Sequence, residues 1–280
     1  MKIYKTNSGI VIHHQENFYW TSENWDAFIN RPQLYGEILE ELSSLDKDPL
    51  YERRIESDLL APIGTQEVWA AGVTYYRSKE ARMDESKESG GATFYDKVYE
   101  AERPELFFKA NPIRVAGHRQ AVNIRKDSTW NVPEPELTLF ISSHETIEGY
   151  TIGNDMSSRS IEGENPLYLP QAKTYQRSAA LGPCLFVPEK PIPSETEIHM
   201  EILRDGKLMY KDHVAISKMK RTHIELASFL FRECEFPAGC FLMTGTCLVP
   251  TGDFTLREND LVSISIDGIG TLTNKVAQRS

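Results

Sequence analysis

Apolar and polar residues alternate over much of this chain, and a period of two marks strands with one buried face. Near the N-terminus, residues 2–4, 9–13 and 17–20 are short strand candidates separated by turn residues. The spacing of Leu34, Ile38, Leu42 and Leu45 predicts a helix over 31–45, and the charged run 46–58 reads as a connector. Trp20 and Trp25 are expected in core packing. From Ala61 the texture changes. Residues 67–75 (EVWAAGVTY) form an apolar run with the character of a buried strand, and 104–109 (PELFFK) a second, shorter one. Residues 77–99 are charged and helix-prone but broken by Ser89-Gly90-Gly91, which suits either a lid or a solvated loop. Farther on, 197–203 and 207–213 flank Asp205-Gly206, a strong hairpin signal. A helix is expected over 222–232, opened by Thr222 and Glu225 as a capping box. Strands are expected over 241–249, 261–266 and 271–276, the last two separated by Asp267-Gly268-Ile269-Gly270. The pattern predicts an α+β, mostly β protein, with a small N-terminal domain over 1–60 and a larger one over 61–280.

One stretch, 132–173, concentrates the chemistry. Glu134 and Glu136 flank Pro135 at the start of a strand, so alternation points both carboxylates the same way. Neighbouring carboxylates repel unless something positive lies between them. A hard divalent cation is one answer, because oxygen-only sites favour Mg²⁺, Ca²⁺ or Mn²⁺. Asp155 would complete such a site from a neighbouring strand end, leaving Lys173 to serve a substrate. The plainer reading puts the Glu-x-Glu pair in solvent and makes Asn154-Asp155 a turn. Glu105 interrupts an apolar context and is either exposed at a strand start or held in a cleft.

Composition narrows the class. The 280 residues can bury a full core, and 40% apolar with 26% charged residues is the balance of a globular protein. A net charge of −10 argues against nucleic acid as a partner. The four cysteines (Cys184, Cys234, Cys240, Cys247) lack C-x-x-C spacing and are expected to be buried free thiols. No run approaches the length of a membrane span and the N-terminus lacks an apolar signal core, so no membrane partner and a cytoplasmic location are expected. His144, His199, His213 and His223 show no zinc-ligand spacing with a cysteine and are given no catalytic role.

Several segments, in order, carry a resemblance: PEPELTLF, GYTIGNDMSSRS, the lysine of QAK, Gly182-Pro183, Thr244-Gly245-Thr246 and DGIGTLTN. Together they resemble the fumarylacetoacetate hydrolase superfamily over about residues 61–280. The resemblance implies a mixed β-roll catalytic domain behind a small N-terminal α/β domain. It also implies Mg²⁺ held at Glu134, Glu136 and Asp155, with Lys173 close to metal and substrate, and assembly as a homodimer or homotetramer. The segments EVWAAGVTYYRSKEAR, YDKVYEAERPELFFK and VPEPELTLFISS resemble the branch that dehydrates 2-keto-3-deoxy sugar acids. A 2-keto-3-deoxypentonate, such as 2-keto-3-deoxy-D-arabinonate, would give 2,5-dioxopentanoate. On that reading Lys173 and Glu105 share the proton transfers and Thr246 orients the substrate carboxylate, while Arg77 either contacts its far end or is an exposed arginine of the lid. Arg159 would pair with a site carboxylate or form a structural salt bridge. One departure favours this branch. Hydrolases of the superfamily carry G-x-N-Y-x-x-H-x-x-E, whereas here Ser78 and Ala81 stand at the histidine and glutamate positions, removing the usual means of activating water. After Thr246, hydrolases tend to have glycines where this chain has Leu248-Val249-Pro250. The alternatives are a hydrolase or isomerase of diketo acids, and a non-catalytic binder of small acids.

Overall fold

A computed structural model describes residues 1–76, 97–250 and 252–279. The N-terminal strands are β1 (Lys2–Thr6), β2 (Gly9–His14), β3 (Asn17–Thr21) and β4 (Asp46–Lys47), with helices α1 (Trp25–Ile29), α2 (Leu34–Glu41) and α3 (Glu52–Ser57). The middle of the chain supplies β5 (Glu67–Gly72), β6 (Glu105–Ala110), β7 (Val115–Ala116), β8 (Ala121–Ile124), β9 (Asn131–Val132), β10 (Pro135–Ile141) and β11 (Ile147–Asp155). After β12 (Ser157–Ser158) come α4 (Arg159–Glu164) and α5 (Leu169–Lys173), then β13 (Ala179–Phe186). The hairpin β14 (Glu197–Arg204) and β15 (Lys207–Ala215) follows, then α6 (His223–Phe231), β16 (Cys240–Met243), β17 (Leu261–Ile266) and β18 (Gly270–Gln278).

Eleven strands form one mixed sheet in the order β4-β3-β2-β1-β13-β11-β10-β16-β5-β6, with β7 pairing the start of β13. Five more form a second sheet, β15-β14-β17-β18-β8. One core lies between the sheets. It joins Leu137, Leu139 and Ile152 of the large sheet to Met200, Ile264 and Leu272 of the small one and to Leu226 and Leu230 of α6. A second core covers the opposite face of the large sheet, where Phe28, Leu34 and Ile38 of the N-terminal helices meet Phe140, Leu181, Leu185 and Phe241. The mostly β class with few helices is therefore as expected, and the sheet runs without a break across the division expected at residue 60.

Several local expectations are corrected. The helix expected over 31–45 spans only Leu34–Glu41, because Pro32 precedes Gln33, which turns left-handed (φ 54°). Its first amides are capped from afar, Gln33 and Leu34 donating to the Glu148 carboxylate at 3.1 and 2.8 Å. The short helix α1 went unanticipated, although Asn24 caps it by accepting from the Ala27 amide at 3.1 Å. The supposed connector 46–58 contains β4 and α3. The strand expected over 241–249 stops at Met243, since Gly245 takes φ +93° and starts a loop. Trp25 is buried as expected, while Trp20 is half-buried under Arg54. Cys184, Cys240 and Cys247 are buried free thiols, but Cys234 is exposed. The hairpin turns as expected, with positive φ at both Asp205 (50°) and Gly206 (74°). Thr222 caps α6 by accepting from the Glu225 amide, but the Glu225 carboxylate goes to Arg221 at 2.6 Å. Among the described residues, no helix is long and apolar enough to cross a membrane.

Candidate active site

Strands β10 and β11 pair antiparallel, with Pro135 opposite Asn154 and the Asp155 amide donating to the Glu134 carbonyl at 2.9 Å. That register puts Glu134 opposite Asp155 and, with Glu136, on one face of the sheet. All three side chains are buried, and one carboxylate oxygen from each lies within 4.8 Å of the others. The plainer reading of the Glu-x-Glu pair fails because β10 is central and buried on both faces.

Three cations meet these acids. Lys173, the last residue of α5, donates to Glu134 Oε2 at 2.6 Å, Asp155 Oδ2 at 3.2 Å and Ser157 Oγ at 2.6 Å, with Glu162 at 3.5 Å. Arg159, first residue of α4, pairs with Glu134 Oε1 at 2.7 Å, and Glu162 lies 3.5 Å away. Of its two expected readings, pairing with a site carboxylate is the one observed. Lys109 is completely buried and pairs with Asp155 Oδ1 at 2.5 Å, while donating to the carbonyls of Met156 (3.0 Å) and Lys173. Lys109 thus ties the ligand-bearing end of β11 to the end of α5, which fixes where Lys173 sits. Burial pushes the Lys109 ammonium below its ordinary range, opposed by Asp155.

Glu136 is held differently. Its Oε2 accepts the Gly245 amide at 2.5 Å, and burial together with Asp155 and Glu134 raises its carboxyl well above the ordinary range. The loop that presents Gly245 is pinned to the end of β5: Thr74 Oγ1 donates to the Thr244 carbonyl at 2.7 Å. A Cβ on Gly245 would come 2.0 Å from Thr74 Oγ1, so the close approach needs glycine as much as the positive φ does. Thr246, next in this loop, lines the cavity; its hydroxyl oxygen accepts the Leu248 amide at 3.1 Å and keeps its own proton to donate.

Strand β6 supplies a third wall by alternation. Glu105, Phe107 and Lys109 share a face, Phe107 lines the cavity, and Lys109 reaches Asp155. Glu105 is half-buried with its carboxylate directly over Gly72, where a Cβ would come 1.9 Å from Glu105 Oε2. Gly72 itself lines the cavity. Glu105 is thus neither fully exposed nor part of the cavity lining; it lies beside Gly72, which is.

The structure brings Glu134, Glu136, Asp155, Lys173 and Thr246 around one cavity, with Glu105 outside its lining but beside Gly72; Arg77, Ser78 and the glycines of the expected lid lie outside the described residues. Lys109, Ser157, Glu162 and Gly245 are additional. Lys109 had a sequence signal, since it falls two positions after Phe107 and four after Glu105 on one strand. Glu162 and Ser157 had none, because their approach depends on how α4 and α5 fold back.

A cation fits here. The donors are three buried carboxylates, and the oxygens already accepting from Lys173, Arg159 and Lys109 each retain a further lone pair. The space among them is ≈ 20 Å³, enough for one ion or water. Four carboxylates (Glu134, Glu136, Asp155, Glu162) against three cations leave this buried cluster one negative charge in excess when all are ionised, which a divalent cation would offset.

Comparisons with known proteins agree with this geometry. A probable 2-keto-3-deoxyxylonate dehydratase of Haloferax volcanii is 47% identical over 232 residues, 82% of this chain and 79% of the relative. The 2-dehydro-3-deoxy-D-arabinonate dehydratase of Saccharolobus solfataricus is 42% identical over 220 residues, 78% and 74% of the two chains. A solved structure of 2-keto-3-deoxy-D-arabinonate dehydratase complexed with magnesium and 2,5-dioxopentanoate superposes with a TM-score of 0.86 at 34% identity, covering 100% of this chain and 99% of that one. The family model described as fumarylacetoacetate (FAA) hydrolase C-terminal matches residues 68–277, and the chain belongs to that family.

Proposed function

We propose that this protein is a Mg²⁺-dependent dehydratase that converts a 2-keto-3-deoxypentonate, such as 2-keto-3-deoxy-D-arabinonate, to 2,5-dioxopentanoate and water. The observation that carries the reading is the buried cluster of Glu134, Glu136 and Asp155, with Lys173 bonded to two of its members. Glu134, Glu136 and Asp155 would hold the ion, with Mn²⁺ or Ca²⁺ as possible substitutes for Mg²⁺. When bound, a divalent cation polarises a 2-keto acid and stabilises negative charge at its keto oxygen. With such an ion the cluster carries one positive charge, which suits a monoanionic 2-keto acid.

Dehydration takes a proton from C3 and the hydroxyl from C4. A later proton shift from C5 to C3 turns the unsaturated alcohol into the C4–C5 enol, and transfer of the enol hydroxyl proton to C4 gives the C5 aldehyde. Glu105 and Lys173 are the two groups proposed for these transfers. Lys173 already spends its three N–H donors on Glu134, Asp155 and Ser157, so it acts as a cation beside the developing oxyanion or hands on a proton. Glu105 then takes the opposite part, supported by its place beside Gly72, a residue of the cavity lining. Thr246 offers its hydroxyl proton to the substrate carboxylate, and Arg77 serves the far end. A homodimer or homotetramer in the reducing cytoplasm completes the proposal, supported by the buried free thiols and checked by light scattering and fractionation.

The test is incubation of the Mg²⁺-loaded protein with a racemic 2-keto-3-deoxypentonate, following 2,5-dioxopentanoate, beside an EDTA-treated control. Metal-dependent product is the expected result. Absence of product, with cleavage of an acylpyruvate instead, would replace the dehydratase by the hydrolase reading.

A further inference from the structure

The outer face of the small sheet carries a second convergence of metal-ligating side chains, unrelated to the carboxylate site. Glu197 and His199 lie two apart on β14 and point outward together. His213 of edge strand β15 stands directly opposite His199, and Asp267 follows the end of β17. The two imidazoles stack with centroids 5.6 Å apart and planes 20° from parallel. His199 Nε2 is 3.5 Å from Glu197 Oε2 and 3.8 Å from Asp267 Oδ1, and His213 Nε2 is 3.9 Å from Glu197 Oε1. One donor atom from each of Glu197, His199 and Asp267 lies within 4.8 Å of the others.

The separations are at or beyond the reach of good hydrogen bonds. The Glu197–His199 separation matches that of ligands around one tetrahedral ion, where bonds of about 2.0–2.2 Å put neighbouring donors roughly 3.3–3.6 Å apart. The other two are a few tenths longer, and His213 stands just outside the three converging donors, within a side-chain rotation of them. Asp267 is already oriented, because its Oδ2 accepts the Glu197 amide at 3.1 Å while Oδ1 faces His199. Among the described residues, the salt bridges of Glu197 and Asp267 are to His199 and His213, with no lysine or arginine as partner.

A backbone irregularity builds the arrangement. Beyond the Asp205-Gly206 turn, Arg204 pairs with Lys207 and Leu203 with Leu208, a register that would set His199 against Asp212. A bulge shifts it, so that Ile202 pairs with Tyr210, Met209 is left over, and His199 meets His213. Without that extra residue His213 would leave the face that His199 occupies.

We propose that Glu197, His199, His213 and Asp267 form a surface site for Zn²⁺ or a neighbouring first-row transition ion. Two imidazoles with two carboxylates suit that class, whereas Mg²⁺ keeps to oxygen donors. The four side chains are 40–61% exposed and join two strands and a turn, so the role proposed for the site is structural. An ion there clamps edge strand β15 to β14 and to the turn after β17, and it raises stability by binding only the folded register.

The experiment is calorimetric titration of the Mg²⁺-saturated protein with Zn²⁺, paired with thermal unfolding, for wild type, the double variant His199→Gln/His213→Gln, and Glu136→Gln. The expected result is one Zn²⁺ per chain and a raised unfolding midpoint in wild type and in Glu136→Gln, both lost in the double variant. Co²⁺ added as a spectroscopic probe should give the visible absorption of a four-coordinate ion only where His199 and His213 are intact. Equal Zn²⁺ uptake by wild type and double variant, or uptake lost in Glu136→Gln instead, would overturn the proposal. Both histidines are well exposed, so the double substitution leaves folding intact, and Mg²⁺ binding in that variant checks this directly.

Discussion

Lys109 shows how much one buried charge holds in place. Its donors go to the Asp155 carboxylate and to the carbonyls of Met156 and Lys173, so it fixes a ligand and the end of a helix at once. Removing one partner of a buried pair leaves the other uncompensated, typically at about 3–5 kcal/mol. Lys109→Met is expected to destabilise the protein by about that amount in urea unfolding. A loss below about 1 kcal/mol would mean that Lys173 alone balances Asp155. Glu136 carries the pH dependence. Its folded pKa lies above its unfolded one, so in the metal-free protein the folded state holds the extra proton. The resulting stability is complete below the ordinary carboxyl range and falls as pH rises towards the raised value. Mg²⁺ competes with that proton, so its affinity should rise with pH and its binding should release protons. Titration in buffers of different ionisation enthalpy reads this, and zero proton release would count against Glu136 as a ligand.

At the scale of elements, glycines and loop ends set the positions of charged groups. Gly72 leaves room for the Glu105 carboxylate, and an added methyl would meet its Oε2 at 1.9 Å. The group in the way is the far end of a flexible side chain, so Gly72→Ala should cost little stability but displace the carboxylate. If Glu105 is an acid–base group, kcat falls by about a hundredfold or more while Mg²⁺ affinity is kept; unchanged kcat would remove Glu105 from the mechanism. The early end of β16 has the same kind of consequence. A continuous strand over 241–249 would have carried the Gly245 amide away from Glu136, whereas the left-handed turn aims it at the carboxylate. Apolar residues 247–249 gave the strand reading its support, yet Leu248 reaches the core between the sheets from a loop, with Cys247 buried and Val249 half-buried beside it. Alternation failed there because burial without a ladder leaves the same mark on the sequence as a buried strand.

For the whole molecule, the N-terminal residues belong to the large sheet. Ile3 and Lys2 of β1 pair with Leu185 and Phe186 of β13, and Phe28, Leu34 and Ile38 cover Phe140 and Phe241. A chain starting at residue 61 would expose that face and the edge of β13. It is expected to be insoluble or to unfold without a cooperative transition, seen by circular dichroism and light scattering. Cooperative unfolding of 61–280 alone would instead establish an independent domain.

The sequence by itself determined the alternating strands, the Asp205-Gly206 hairpin, the capped helix at Thr222 and the common facing of Glu134 and Glu136. Each of these follows from local rules: period two, positive φ at a turn, and a side chain bonding an amide three residues on. It also carried the ordered motifs by which the family could be read. Only the tertiary structure decided that the carboxylates are buried and not solvated, because that depends on β10 lying between β11 and β16. It alone brought Glu162 to the cluster and chose between the two readings of Arg159, since these approaches are made by elements folding over one another. It alone set His199 against His213, because a single unpaired residue in β15 changes which side chain stands opposite. Local spacing specifies which way a side chain points from its own element, and packing specifies what it meets there.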